Sequence, residues 1–176
     1  MARHGEKSIA EKSKDKPLTE KGREQAKFLK ERLARESFDE VLVSTYKRAL
    51  ETFDLIKDKL KYKKLTISND FTEIYDGLVG NPKKSDLKPN EIRTRVKNDK
   101  KRLNKTWKTL FQYPYDSKVL MIGHGNFFRW LIAKTLEINP KKTKNIILEN
   151  CSISIIAVSS DRGKGIYLIN DTTHLK

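Results

Sequence analysis

Val119-Leu120-Met121-Ile122 is an unbroken apolar run, closed by Gly123-His124-Gly125. A strand with no polar side has to be covered on both faces, as strands inside a parallel sheet are. That requirement alone asks for helices above and below a sheet, and the rest of the chain supplies them. Leu18-Thr19-Glu20 opens a helix with Thr19 as its N-cap, followed at helical spacing by Ala26, Leu29 and Leu33. Val41-Leu42-Val43 reads as a buried strand ending at Ser44, and Ala49, Phe53, Ile56 and Leu60 mark the next helix. Leu65-Thr66-Ile67 reads as another short strand, and residues 74–90, rich in Gly, Pro, Asn and Lys, as a loop.

A long helix is predicted over residues 90–111, with Ile92, Val96, Leu103, Trp107 and Leu110 facing inward and lysines and arginines over the remainder. Residues 127–136 form the next helix. Residues 153–158 and 166–169 form a final strand pair, joined by a turn at 161–165. The alternation predicts an α/β fold in one domain spanning 1–176. Its form is a three-layer α/β/α sandwich, with a mostly parallel central sheet and helices on both faces.

The chain is 176 residues long, enough for one good core, and no run of 18 apolar residues suggests a membrane span. Its one cysteine, Cys151, has no internal disulfide partner, which agrees with a reducing compartment, cytoplasmic or other. Cys151 lies in a strand-like run and reads as a small core residue. The net charge of +15 points to an anionic partner. Residues 83–118 carry 12 Lys/Arg against 4 Asp/Glu, so about half of the surplus sits there. That concentration reads equally as a solvated helix face or as a functional basic surface. A nucleic-acid-binding domain ranks low, because regularly spaced aromatic platforms are missing.

In sheets of this kind ligands bind beyond the carboxyl ends of the strands. Ser44, Asp70 to Glu73, and His124 all follow strand ends, and His4 would do so if a strand preceded it. Phosphoryl transfer without a metal needs a nucleophile, cations for the phosphate oxygens and a proton donor for the leaving group. Histidine is a good nucleophile near neutral pH, and the planar fork of arginine matches phosphate oxygens in pairs. A carboxylic acid beside bound negative charge has a raised pKa and can donate a proton. Arg3-His4, Arg48 in the first turn of a helix, His124 before another helix, and a carboxylate among Asp70, Glu73 and Asp76 supply each part. No cofactor and no metal is expected.

Arg3-His4-Gly5, residues 18–26 (LTEKGREQA), residues 44–52 (STYKRALET) and Ile122-Gly123-His124-Gly125 resemble, in order and spacing, the serial motifs of the histidine phosphatase (phosphoglycerate mutase-like) superfamily. The resemblance implies that His4 is the nucleophile that becomes phosphohistidine. It implies that Arg3 and Arg48 clamp the phosphate, that His124 contacts the phosphoryl group, and that Glu73 is the proton donor. Gly5 and Asn126 are carried over as substrate-binding residues.

Within the superfamily the chain is most similar to the mitochondrial phosphoglycerate-mutase-like serine/threonine protein phosphatases. The features that carry this are the Lys/Pro-bearing loop 82–89, residues 99–102 (DKKR), residues 124–129 (HGNFFR), residues 148–153 (LENCSI) and Asn170-Asp171-Thr172-Thr173. It implies phosphoserine or phosphothreonine proteins as substrates, with small phosphate esters and acidic protein surfaces as further partners and a homo-oligomer as an open alternative. Mitochondrial association follows from the resemblance alone. A phosphohistidine phosphatase is the runner-up reading, and an inactive relative that binds phosphoproteins is the next. The family's strand ahead of Arg-His-Gly is expected to be missing, since only Met1 and Ala2 precede Arg3. His174 has no motif around it and is expected in a mobile tail.

Overall fold

The computed structural model describes residues 1–8, 15–80 and 87–175. Six strands form one sheet: β1 (Ala2–Arg3), β2 (Ser37–Ser44), β3 (Lys61–Ser68), β4 (Val119–Gly123), β5 (Ile153–Ser159) and β6 (Gly163–Asp171). Their order across the sheet is β3-β2-β4-β1-β5-β6. The first four are parallel, β5 runs antiparallel to β1, and β6 runs antiparallel to β5. Four α-helices cover it: α1 (Glu20–Leu33), α2 (Lys47–Ile56), α3 (Pro89–Leu110) and α4 (Gly125–Thr135).

Strand alternation assigns the two core layers. Val41, Val43, Leu120 and Ile122 point to the side where Ala26, Leu29 and Leu33 of α1 and Ala49, Phe53 and Ile56 of α2 pack. Leu42 and Met121 point to the other side, against Leu103 of α3 and Phe127, Phe128 and Leu131 of α4. The sandwich is therefore as expected from the apolar β4. Helix starts are also local: the Thr19 hydroxyl accepts from Gly22 N at 3.0 Å, and Pro89 occupies the first turn of α3.

The strand expected to be missing is present, in two residues. Ala2 and Arg3 pair in parallel with Ile122 and Gly123, and Ala2 pairs antiparallel with Ile153. Backbone bonds extend this pairing on both sides. Ser154 N donates to Met1 O at 2.9 Å, and His4 N donates to Gly123 O at 3.0 Å. A parallel strand this short suffices because β4 and β5 already flank it, so its few backbone groups all find partners. At the opposite end of the sheet from His4, β4 and β5 part around an apolar cavity of about 880 Å³, lined by Val119, Met121, Ile155 and Ile156 among others.

Other expectations need correcting. Helix α2 stops at Ile56, and buried Leu60 lies beyond it. The stretch 74–90 is not all loop: Asp76–Val79 forms a 3₁₀ turn, and α3 begins at Pro89. Residues 82–86 of the Lys/Pro-bearing loop lie outside the described residues. Leu103 is fully buried on α3, but Ile92 and Val96 are only partly buried, and the buried side also takes polar Asp99 and Thr106. His174 is not in a loose tail. Its Nε2 lies 3.1 Å from Cys151 O, and Leu175 beside it packs on the core. Cys151 is buried with its thiol pushed up to about 12 by burial, and its φ of 57° places it in a turn ahead of β5 rather than in a strand.

Candidate active site

His4 follows directly on β1 and is 2 % exposed. Two contacts fix its ring. Arg48 Nε donates to His4 Nε2 at 3.0 Å, and His4 Nδ1 lies 2.7 Å from Gly5 O. A guanidinium can only donate, so Nε2 must be the acceptor and Nδ1 must carry the hydrogen, given to the Gly5 carbonyl. That tautomer leaves the lone pair on Nε2, toward Arg48. Burial first, then Arg48, Arg3 and Lys7, holds the His4 pKa well below the usual histidine value, so the ring is a neutral base at neutral pH.

Gly5 itself is buried. Its N–H donates to Thr52 Oγ1 at 3.1 Å, and Thr52 in turn donates to Arg48 O at 2.7 Å. A Cβ on Gly5 would stand 2.4 Å from Gly22 O, and one on Gly22 2.1 Å from Glu6 O. The two glycines thus let the chain after His4 lie against the start of α1, which a larger residue would forbid.

Arg48 is 4 % exposed, in the first turn of α2 after β2. Its guanidinium carbon sits 4.8 Å from the ring centre of Tyr46. Arg3 is held by a hydrogen bond from Nη1 to Leu148 O. His124, fully buried at the end of β4, stacks at a tilt against His4 with ring centres 5.1 Å apart, and its Nε2 lies 2.7 Å from Ser44 Oγ. Ser44 Oγ also accepts from Tyr46 N at 3.2 Å. Three buried nitrogens in this group find no hydrogen-bond partner among the described residues: Arg3 Nε, Arg48 Nη1 and His124 Nδ1. A buried polar group left unpaired costs about 1–3 kcal/mol, so three in one cluster indicate a place for a ligand rich in acceptors.

Glu73 lies against the start of α4. Its carboxylate accepts from Phe127 N at 3.1 Å, from Asn126 N at 3.5 Å and from Ile74 N at 3.2 Å. The positive end of the helix and Arg48 favour its charged form, yet burial outweighs them and raises its pKa above the usual carboxylate value. The Glu73 backbone is held from α3. Arg102 donates to Thr72 O at 2.6 Å and to Glu73 O at 2.9 Å, and Asp99 Oδ2 accepts from Tyr75 N at 2.8 Å. Arg102 and Asp99 also pair with each other at 2.8 Å.

A polar cleft of about 550 Å³ opens on this group. It is lined by Arg3, His4, Arg48, Glu73, Gly125 and Asn126, with Lys7, Tyr75, Asp76, Arg95 and Arg129 toward the rim. Of the three carboxylates open at the sequence level, Asp70 is bonded away to Lys105 at 2.7 Å and does not line the cleft, whereas Glu73 and Asp76 do. Gly5 and His124 sit behind His4 rather than on the cleft wall. Thr52, Ser44, Arg95, Arg102 and Arg129 were not singled out as site residues. Arg129 was findable, being three residues beyond Asn126 on the same helix face, where its Nη1 donates to Asn126 Oδ1 at 2.9 Å. Arg95 carried no signal among the other basic residues of the helix and its flanks, and Arg102 stood out only within the resemblance-bearing stretch 99–102.

The family model for the histidine phosphatase superfamily (branch 1) matches residues 1–172. Among curated proteins, the mitochondrial serine/threonine-protein phosphatase Pgam5 of Drosophila persimilis is 29 % identical over 181 residues, covering 98 % of this chain and 62 % of the fly protein. The Drosophila ananassae protein of the same name is 29 % identical over 182 residues, with the same coverage. The chain thus spans less than two thirds of the length of these relatives. Among solved structures, Bacillus stearothermophilus YhfR superposes with a TM-score of 0.77 at 22 % identity, covering 99 % of this chain and 97 % of that one. Phosphoserine phosphatase from Entamoeba histolytica, in complex with 3-phosphoglyceric acid, superposes with a TM-score of 0.70 at 20 % identity, covering 99 % and 97 %.

Proposed function

The chain belongs to the histidine phosphatase superfamily, and from that premise we propose that it is a phosphomonoester hydrolase working through a phosphohistidine at His4. The observation that carries the reading is the His4 ring. Its proton is held on Nδ1 by the Gly5 carbonyl, so the lone pair of Nε2 faces a cleft whose arginines have unpaired donors.

In the proposed reaction, Arg3 and Arg48 take the phosphate oxygens, and the Arg48 contact to Nε2 gives way to the incoming phosphorus. The Nε2 lone pair forms the N–P bond while the P–O bond to the leaving group breaks. Glu73, protonated, gives its proton to the departing oxygen. Gly5 keeps the proton on Nδ1, and His124, buried and uncharged, offers its unpaired Nδ1 as a hydrogen-bond donor beside the transferring group. Asn126 contributes its place at the start of α4. Water then attacks the phosphohistidine, with Glu73 taking the proton back and inorganic phosphate leaving. No step calls on a metal or cofactor.

The substrate class we propose is phosphoserine or phosphothreonine in proteins, supported by the likeness to the fly serine/threonine-protein phosphatases. A phosphohistidine phosphatase and a non-turning phosphoprotein binder are the alternatives. A mitochondrial location rests on that likeness only. No helix among the described residues is long and apolar enough to cross a membrane.

The test is single-turnover labelling with a ³²P-phosphopeptide in the presence of EDTA. A labelled protein that is acid-labile and base-stable is expected, absent in His4→Ala. Equal turnover by His4→Ala and the parent chain would overturn the proposal.

A further inference from the structure

Taking the phosphatase reading as given, we infer that the cleft contains a second anion subsite, built from Arg129 and Arg95, for a carboxylate or phosphate carried on the leaving-group part of the ester. The argument starts with size. A cleft of about 550 Å³ falls among sites that enclose whole small molecules, and a phosphoryl group at His4 fills only a small part of it. The remaining wall decides what else enters.

That wall is strongly positive. Among the described residues five cations line the cleft, Arg3, Lys7, Arg48, Arg95 and Arg129, against the carboxylates Glu73 and Asp76, a surplus of three. A phosphate dianion held by Arg3 and Arg48 leaves a surplus of about one. Protonation of Glu73 for the leaving group raises it to about two. Potential of that sign in a low-dielectric cleft favours a further negative group.

Arg129 is built for such a group. Its guanidinium is already oriented, Nε donating to Ile146 O at 2.8 Å and Nη1 to Asn126 Oδ1 at 2.9 Å. Nη2 makes no bond among the described residues, so one arm of the fork is left for a ligand. The side chain has little rotamer freedom left to lose on binding. Arg129 also lies close enough to Glu73 to feel its charge, and close enough to Arg3 to lower the pKa of that group, which places it on the Glu73 side of the cleft, where the leaving group departs. Arg95, on α3, lines the same cleft, with its Nε 3.8 Å from Asp99 Oδ2, too long for a close bond. An arginine pair with spare donors is suited to bidentate binding of a carboxylate or phosphate.

The experiment compares matched esters on the whole chain. One pair is a phosphoserine peptide with Asp on each side of the phosphoserine, against the same peptide with Asn. The second pair is 2-phospholactate against isopropyl phosphate, so the two arms separate a peptide carboxylate from a small phosphorylated acid. The kcat/KM ratio, charged over neutral, is expected to be about tenfold or more in at least one pair at 50 mM salt. It should shrink at 500 mM salt, because the subsite is open to solvent. Arg95→Glu is expected to bring the ratio near one or invert it, and Arg129→Gln to lower it.

Fluorescence-anisotropy affinities of the two peptides for His4→Ala and the parent chain give the same ratio if turnover is absent. Loss of turnover with the affinity ratio retained would therefore sink the phosphatase reading and leave the subsite. Ratios near one in both pairs, by rate and by affinity, would overturn the subsite. So would a ratio unchanged in Arg95→Glu and in Arg129→Gln.

Discussion

Arg48 and His4, 44 residues apart in the chain, share one hydrogen bond that sets the chemistry of both. Arg48 Nε donates to His4 Nε2 at 3.0 Å, which settles the tautomer, adds to burial in keeping the imidazole neutral and, in the proposed mechanism, holds the phosphate clamp beside the attacking nitrogen. The Thr52 hydroxyl ties the same turn of α2 to Gly5, so hydrogen bonds link ring, Arg48 and backbone.

The role of this pair predicts an asymmetry between substitutions at Arg48. Lysine keeps the charge but not the fork, and its ammonium cannot both hold oxygens in pairs and leave the ring unobstructed. Arg48→Lys is expected to lower kcat/KM for an aryl phosphate by about 10²-fold, in line with loss of one oriented donor at a developing negative charge. A loss of less than threefold would deny Arg48 the clamping role.

The pH profile should depend on the leaving group. In the proposed mechanism His4 acts as a free base, and its pKa is lowered, so the acid limb of kcat/KM is expected below the ordinary histidine range. Glu73 is there the proposed acid, and its pKa is raised, so the rate for an alkyl phosphate should fall as pH rises through that raised value. A nitrophenyl phosphate, whose phenolate departs without a proton, should lack this alkaline limb. The comparison is made after correction for each ester's own ionisation, and identical limbs would remove Glu73 from the proton-donor role.

Arg102 should matter although it does not line the cleft. It holds the carbonyls of Asp70, Thr72 and Glu73 and pairs with Asp99, so it is a positioning residue for Glu73. Arg102→Ala is expected to cost about 1–3 kcal/mol of stability, from lost bonds to a charged donor. It should also lower kcat more for alkyl than for nitrophenyl esters. A purely structural role would lower both equally. Thermal melts and paired kinetics on the same preparation separate these outcomes.

Gly22→Ala pits helix propensity against sterics. Alanine in the first turn of α1 would gain up to about 1 kcal/mol of propensity. Its Cβ would stand 2.1 Å from Glu6 O, a backbone atom with no freedom to rotate away. The clash should win, with a net loss of about 1–3 kcal/mol and a matching drop in melting temperature. A neutral or raised melting temperature would contradict the close approach of residues 5–6 to α1.

The buried histidines make a further prediction, for stability against pH. His4 and His124 have folded-state pKa values well below 6.5, and His174 is lowered too, in each case chiefly by burial. The unfolded chain therefore takes up protons near pH 6.5 that the folded chain refuses. Stability is full above that pH and is lost as pH falls from about 6.5 toward the folded values, by up to about 1.4 kcal/mol per pH unit for each of the two buried histidines, His4 and His124, and by less for half-buried His174. The slope of denaturation free energy between pH 6.5 and 5.5 should diminish in His4→Asn. An unchanged slope would mean that the ring is already charged in the folded state.

Some of this was written locally in the chain. The apolar Val119-Leu120-Met121-Ile122 stretch and the helical spacing of Ala26, Leu29 and Leu33 foretold the sandwich, because burial on one or both faces imposes a short period on the residues themselves. The Gly-His-Gly stretch stood at a strand end for the same reason. What the period could not carry was anything decided by approach from afar. Whether two residues make a strand depended on β4 and β5 flanking them. Which nitrogen of His4 holds the proton depended on Arg48 and the Gly5 carbonyl. Arg102 turning toward Glu73, Arg95 and Arg129 facing the cleft, and His174 reaching the Cys151 carbonyl were equally set by packing between distant elements. A lysine or arginine has the same local signature on an exposed helix face as over a site, so only the tertiary structure separates them.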